Sequence, residues 1–314
     1  MATEQPVVRA VDIGGTKIAV GAIDAAGRVL AKEVHATQVA EGFDAAMRRI
    51  AGMLGSTSER AGVELSGIGI GCTGPIDPMS GEIGSVEFLA EWRGCNPVEW
   101  LTRQFNLSVA MENDADAASL GELQWGAGRG KRHLICVTVG TGIGGGVVLN
   151  GSLYRGVDGA HPEIGHHVIE ATGPSCYCGS RGCWEVLARG PAIAARFIQD
   201  VPSDYPGRNQ LTAQDVCQLA RQGDPAARRE IEREGNYLGI GVANLTTLFA
   251  PEVIALSGSV MESADLFMPT IRAVMLRNCG LVPAASVDLV PAALGNDAPL
   301  IGAGAVWRHR YGNN

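Results

Sequence analysis

Aromatic side chains are scarce in this chain, with six Phe, five Tyr and five Trp among 314 residues. Close packing must therefore come from aliphatic side chains and near backbone approach, and 43 glycines supply the second. That composition fits a compact α/β protein long enough for two lobes with cores of their own. No apolar run approaches the ~20 residues that span a bilayer, so no membrane segment is expected. Residues 1–15 lack a basic segment followed by an apolar one, and no secretory signal is read there. Runs of Lys or Arg are missing as well, and 25 basic against 33 acidic residues leave a net charge of -8. A nucleic-acid surface is excluded on that ground. The phosphate-loop motif G-x-x-x-x-G-K-[ST] does not occur. Five of the eight cysteines (Cys72, Cys95, Cys136, Cys217 and Cys279) are scattered, mostly among apolar neighbours. They read as reduced core residues of a cytoplasmic protein.

The remaining three cysteines are not scattered. Residues 163–185, EIGHHVIEATGPSCYCGSRGCWE, bring His166, Cys176, Cys178 and Cys183 within eighteen residues and begin and end on a carboxylate. Three thiols and one imidazole form the closed tetrahedral donor set of a structural zinc ion. Gly179 and Gly182 let the chain double back between the last two thiols. Three is an odd number for disulfides, and a zinc hydrolase would need an open coordination position that this set lacks. A metal here would hold Glu163 and Glu185 in fixed places.

Strand signals fall at 7–12, 18–23 and 29–32, joined by the turns around Gly14, Gly15 and Gly27; this is a meander and not a strand-to-helix crossover. The order recurs at 134–139 and 147–149, with a glycine-rich loop over 140–146 and an Asn150-Gly151 hairpin turn. Two copies predict a duplicated fold, each half with a glycine loop at one end of its sheet. Between and after them, helices are expected over 43–61, 97–105, 115–125 and 299–308, with starts at Pro191, Thr212 and Pro225. Strands are expected at 67–72, 109–111, 252–256 and 286–290.

Residues 140–145 satisfy G-x-G-x-x-G, but a strand follows where a dinucleotide site needs a helix. The two loops, DIGGTK (12–17) and VGTGIGGG (139–146), instead offer backbone N–H groups and the hydroxyls of Thr16 and Thr141 to phosphate oxygens. Asp12, at a strand end beside the first loop, is placed to hold Mg²⁺ or to cap the turn. Asp114 follows Asn113 where a strand becomes a helix. A carboxylate there suits the base that positions a hydroxyl acceptor and takes its proton, and it also suits a plain helix cap.

In these motifs the sequence resembles the ROK family of sugar kinases, within the actin/hexokinase-like ATPase superfamily. DIGGTK, END (112–114), GTGIGGG, EIGH (163–166) and CYCGSRGCWE (176–185) occur in the family's order over nearly the whole chain. The resemblance implies an α/β, two-lobed actin-like ATPase (ribonuclease H-like) fold with a duplicated βββαβαβα-type core and an interlobe cleft. The small lobe would hold 1–116 plus 300–314 and the first phosphate loop. The large lobe, 117–299, would hold the second loop, the zinc site and the adenosine loop. Asp114 would be the catalytic base. Gly74, Asn113, Asp114, Glu163, His166 and Glu185 would bind the sugar. Asp12, Gly14, Gly15, Thr16, Lys17, Gly140, Thr141, Gly142 and Gly258 would bind ATP, with Mg²⁺ at Asp12. Zinc would be structural, on His166, Cys176, Cys178 and Cys183.

The implied reaction is ATP-dependent phosphorylation of a hexose at its C6 hydroxyl, glucose first. N-acetylmannosamine, fructose or another hexose is the alternative. The family also contains sugar-responsive repressors, but eleven residues before Asp12 are too few for a DNA-binding domain. A homodimer or homotetramer is implied. The sequence departs from the family at 257–259, which is less glycine-rich than the usual adenosine loop. Residues 86–92 also lack an expected Asn, and His161-Pro162 is a feature of fructokinase-like members.

Overall fold

A computed structural model describes residues 6–62, 65–205 and 207–312; residues 1–5, which begin the segment read for a secretory signal, lie outside it. The chain opens on three antiparallel strands, β1 (Val7–Ile13), β2 (Lys17–Ile23) and β3 (Val29–Ala36). α1 (Phe43–Ala61) leads to β4 (Leu65–Cys72). A short hairpin, β5 (Ile76–Asp77) and β6 (Glu82–Ile83), precedes α2 (Pro97–Phe105). β7 (Ser108–Asn113) runs directly into α3 (Asp114–Trp125). Three strands then repeat the opening: β8 (Leu134–Val139), β9 (Ile143–Leu149) and β10 (Ser152–Leu153). α4 (Trp184–Ala188), α5 (Gly190–Asp200), α6 (Ala213–Gln222) and α7 (Pro225–Phe249) follow. β11 (Val253–Ser257), α8 (Ala264–Asn278), β12 (Asp288–Pro291) and α9 (Ala298–Tyr311) complete the chain.

The two five-stranded sheets have orders β3-β2-β1-β4-β7 and β10-β9-β8-β11-β12. The order is the same in each, so the duplication expected from the two glycine loops is present. Two elements differ from what the sequence reading offered. Residues 143–146 are strand, not loop: Gly145 and Gly146 lie in β9, where Cβ atoms would meet the Cys136 carbonyl oxygen at 2.1 Å and Ser119 Oγ at 2.3 Å. α8 carried no clear start signal, and Pro269 lies inside it.

The contacts divide the chain into a first unit, 1–132, 146–161 and 293–314, and a second, 133–145 and 162–292. The lobe boundary expected after residue 116 falls inside α3. That helix stays whole in the first unit because it packs on α9: Leu120 shares a core with Ala305 and Val306, and a Cβ at Gly121 would lie 3.0 Å from Gly302 Cα. The first unit, expected to be the smaller, holds more of the chain.

Within the first unit, β1 and β2 send Val11, Ile13, Ile18 and Val20 to one face, against Met47, Ile50 and Leu54 of α1. Their other face gives Ala10, Ala19 and Ile23 to Leu300, Ile301 and Ala303 of α9. Burying each Ile, Leu or Met side chain contributes about 1.5–3 kcal/mol. The alternating glycines of β4 have a matching cause. A Cβ at Gly69 would sit 1.8 Å from the Ala303 carbonyl oxygen, and one at Gly67 would sit 1.9 Å from Trp307 Nε1. Small residues here let α9 lie directly on the sheet.

β1, β4 and β7 run parallel, with Ile13 opposite Cys72 and Cys72 opposite Asn113. Their carboxyl ends therefore gather Asp12, Gly74, Asn113 and Asp114, the place where ligands meet open α/β sheets. Among the described residues, no helix is long and apolar enough to cross a membrane.

Candidate functional site

In the first unit, the β1–β2 turn closes with Gly14 N–H donating to the Lys17 carbonyl at 3.0 Å. Thr37, fully buried, fastens the turn. Its hydroxyl donates to the Gly14 carbonyl at 2.6 Å and its N–H to the Thr16 carbonyl at 3.0 Å. Thr16 and Lys17 stand exposed at the tip. A Cβ at Gly15 would lie 2.6 Å from Phe88 Cβ, so that glycine makes room for a side chain of the same unit.

Asp12 is pushed up to about 7, first by burial and then by the Asp114 charge, with Lys17 and Lys32 opposing. Asp114 is raised too, chiefly by burial, and held back by the Ala115 N–H and the nearby His161. The strand ends thus bring these two acids within electrostatic reach. The Asp114 charge disfavours ionisation of Asp12.

Asn113, not Asp114, is the cap of α3; its Oδ1 accepts from Ala115 N–H at 2.9 Å. Asp114 Oδ1 takes the same N–H at 2.8 Å, which orients the carboxylate. A Cβ at Gly74 would come 2.9 Å from Asn113 Nδ2, so Gly74 and Asn113 are neighbours.

Behind Asp114 stands a network that sequence reasoning missed. Asp116 is fully buried, and its Oδ2 meets Arg155 at 2.8 Å and His161 Nδ1 at 2.7 Å. Arg155 also pairs with Glu112. The only local signals are a second acid two residues after Asp114 and the His161-Pro162 step.

In the second unit, the β8–β9 turn closes with Gly140 N–H donating to the Gly142 carbonyl at 2.9 Å, and Thr141 is exposed at its tip. Glu185 Oε2 accepts from Ile143 N–H at 2.9 Å. A Cβ at Gly142 would lie 2.5 Å from that oxygen, so the glycine also makes room for the carboxylate. Gly165 of the EIGH turn packs directly beneath, where a Cβ would meet the Ile143 carbonyl oxygen at 2.0 Å. Glu163, Glu185 and the second glycine loop are therefore one local assembly.

A cavity of about 540 Å³ opens beside this loop, walled by Gly140, Thr141, Ala194, Ala195, Thr212 and Ser259 among others. Sequence reasoning missed its α5 and α6 walls, whose small, generic side chains carry no motif. Gly258 stands at its edge with φ +95, and a Cβ there would meet the Val139 carbonyl oxygen at 2.3 Å. Its neighbours Ser259 and Val260 line the cavity.

The four predicted zinc donors come together, their ligand atoms all within 4.8 Å of one another. Cys178 Sγ lies 3.6 Å from Cys183 Sγ, and Cys176 Sγ lies 3.6 Å from His166 Nδ1. A zinc tetrahedron with Zn–S near 2.3 Å and Zn–N near 2.0 Å has S···S edges of about 3.8 Å and S···N edges of about 3.5 Å. The donors fit such an ion. Burial and the neighbouring thiols push Cys183 up to about 12, while the Ser180 N–H lowers Cys178. Thiols that resist shared ionisation are what a divalent cation relieves. Gly182, at φ +64 with a would-be Cβ 1.6 Å from the Glu170 carbonyl oxygen, forms the turn before Cys183, and α4 starts there and carries Glu185.

Residues 8–310 match the ROK family. A glucokinase of Thermotoga maritima is 33% identical over 311 residues, which span 96% of this chain and 97% of that one. The crystal structure of a ROK hexokinase from Thermus thermophilus aligns with a TM-score of 0.85 and 33% identity, over 98% of this chain and 100% of that one. A ROK family glucokinase from Streptomyces griseus, solved in complex with glucose and AMPPNP, aligns with a TM-score of 0.78 and 31% identity, over 96% of this chain and 99% of that one.

Proposed function

The chain belongs to the ROK family and has the two-lobed actin-like ATPase fold of its solved relatives, and from that premise we propose that it transfers the γ-phosphoryl group of ATP to the C6 hydroxyl of glucose. Asp114 carries the reading. It is a buried carboxylate at a strand end, oriented by Ala115 N–H and raised as a base by its surroundings. It takes the proton of the C6 hydroxyl as that oxygen attacks the γ-phosphorus and the bond to the β–γ bridging oxygen breaks, releasing ADP. Gly74, Asn113, Glu163, His166 and Glu185 hold the other sugar groups. The choice of glucose is supported by the glucokinases among the relatives.

The loops around Gly14, Gly15, Thr16 and Lys17 and around Gly140, Thr141 and Gly142 bind the phosphates. The cavity next to the second loop takes the adenosine. Its size suits a nucleoside, and Thr212, Gln214 and Ser259 offer polar contacts on an otherwise largely apolar wall. Asp12 would hold Mg²⁺, because a carboxylate disfavoured as an anion by burial and a second acid gains from a cation. That ion supplies charge neutralisation at the β- and γ-phosphates. His166, Cys176, Cys178 and Cys183 would hold a structural Zn²⁺ that fixes Glu163 and Glu185. The protein works in the cytoplasm as a homodimer or homotetramer.

A coupled ADP-release assay over glucose, mannose, fructose, N-acetylglucosamine and N-acetylmannosamine tests this. Glucose is expected to give the highest kcat/KM. No ADP release with any of the five, or a clear preference for another sugar, would contradict it.

A further inference from the structure

Tyr177 stands between two of the clustered donors, Cys176 and Cys178, and is 78% exposed. An exposed tyrosine has water for its hydroxyl, yet this one turns inward. Its Oη lies 3.0 Å from His166 Nε2, and the two rings meet edge-on, 5.1 Å between centroids at 89°. The same hydroxyl lies in the electrostatic field of Glu185 and Glu163.

The tautomer follows from the cluster. His166 turns Nδ1 toward Cys176, and an imidazole that gives its Nδ1 lone pair to a metal carries its proton on Nε2. Nε2–H then donates to Oη. A hydroxyl oxygen that accepts from Nε2–H is what a sugar hydroxyl would also offer there. His166, assigned above to the sugar, thus already holds a hydroxyl, and it belongs to the protein.

We infer that Tyr177 is a built-in competitor for the hexose, occupying a sugar-hydroxyl position until the substrate displaces it. The inference rests on the sugar site proposed above. Displacement needs only rotation about the side-chain bonds of an exposed residue, so the turn holding Cys176 and Cys178 need not move. While the sugar is absent, the phenol keeps His166 Nε2 paired. When the sugar arrives, the bonds it forms are offset by those that Tyr177 gives up, and affinity is lower than the contacts alone would provide.

The test compares the zinc-loaded full chain with its Tyr177→Phe variant, which keeps the ring and loses only the hydroxyl. Glucose binding is read by calorimetry, zinc content by metal analysis, and kcat at saturating glucose and ATP. Zinc content and kcat should be unchanged, and the glucose Kd should fall by roughly three- to tenfold, the factor carried by one net hydrogen bond. An unchanged or weaker Kd, with zinc in place, overturns the inference and leaves the kinase reading standing. A wild-type protein that binds no hexose overturns both.

Discussion

The two glycine hairpins have similar sequences and matching places in matching sheets, but different things press on them. At the first, Gly15 yields to Phe88, Thr37 ties the turn down, and burial and the Asp114 charge raise Asp12. At the second, Gly142 yields to Glu185, whose carboxylate is fastened to Ile143 N–H and whose helix starts at Cys183 of the donor cluster. The first loop stands in a strained electrostatic field and the second is braced mechanically by the Cys/His turn. Glycine is required at both, for different neighbours.

Breaking the brace should have the larger effect. Cys178→Ser removes an exposed donor without touching either core. It is expected to lower zinc content and to drop Tm by on the order of 10 °C, while glucose KM rises as Glu163 and Glu185 loosen. Full activity in strong chelator, with no zinc in the pure protein, would remove the mechanical half of the comparison.

Gly142→Ala probes the same brace from the loop side. The new Cβ would displace the Glu185 carboxylate from Ile143 N–H, at the expected scale of a charged hydrogen bond: glucose KM about ten- to a hundredfold higher, with a smaller rise in ATP KM. If ATP KM rises and glucose KM does not, the glycine is kept for phosphate alone and the two loops are equivalent after all.

The electrostatic half has a smaller signature with a definite sign. Asp12 rises from 3.8 to about 7 in the folded chain, so between those values the native state binds more protons than the unfolded one. Stability contributed by this group is therefore lost as pH rises toward 7. Without Mg²⁺ or nucleotide, Asp12→Asn should raise Tm by a few degrees near pH 8 and leave it nearly unchanged near pH 4. A lower Tm near pH 8 would mean that Asp12 is favourably paired.

How legible each part was follows from how local its cause is. The glycine turns, the Cys/His cluster and the Asn113–Asp114 junction are short-range chemistry, and each stands in the structure where its motif lies. Asp116, Arg155 and His161 meet only because β10 and the turn after it return to α3, a long-range event with no spacing to read. Tyr177 was hidden in plain view inside the zinc motif, since nothing local says which way an exposed ring turns. The glycine-rich stretch 143–146 reads as loop in the sequence, yet it is strand, part of β9. Here close contacts with Cys136, Asp116 and Ser119 demand glycine.

The central claim is that Asp114 is the base of a sugar kinase, and Asp114→Asn tests it most directly. The variant keeps the size and hydrogen-bonding shape of the side chain and removes its basicity. Calorimetry should show glucose still bound, while kcat falls on the order of 10²–10⁴-fold. A variant that retains more than about a tenth of wild-type kcat, well short of a general base's usual contribution, would contradict the account and leave Asp114 a structural partner of the α3 cap.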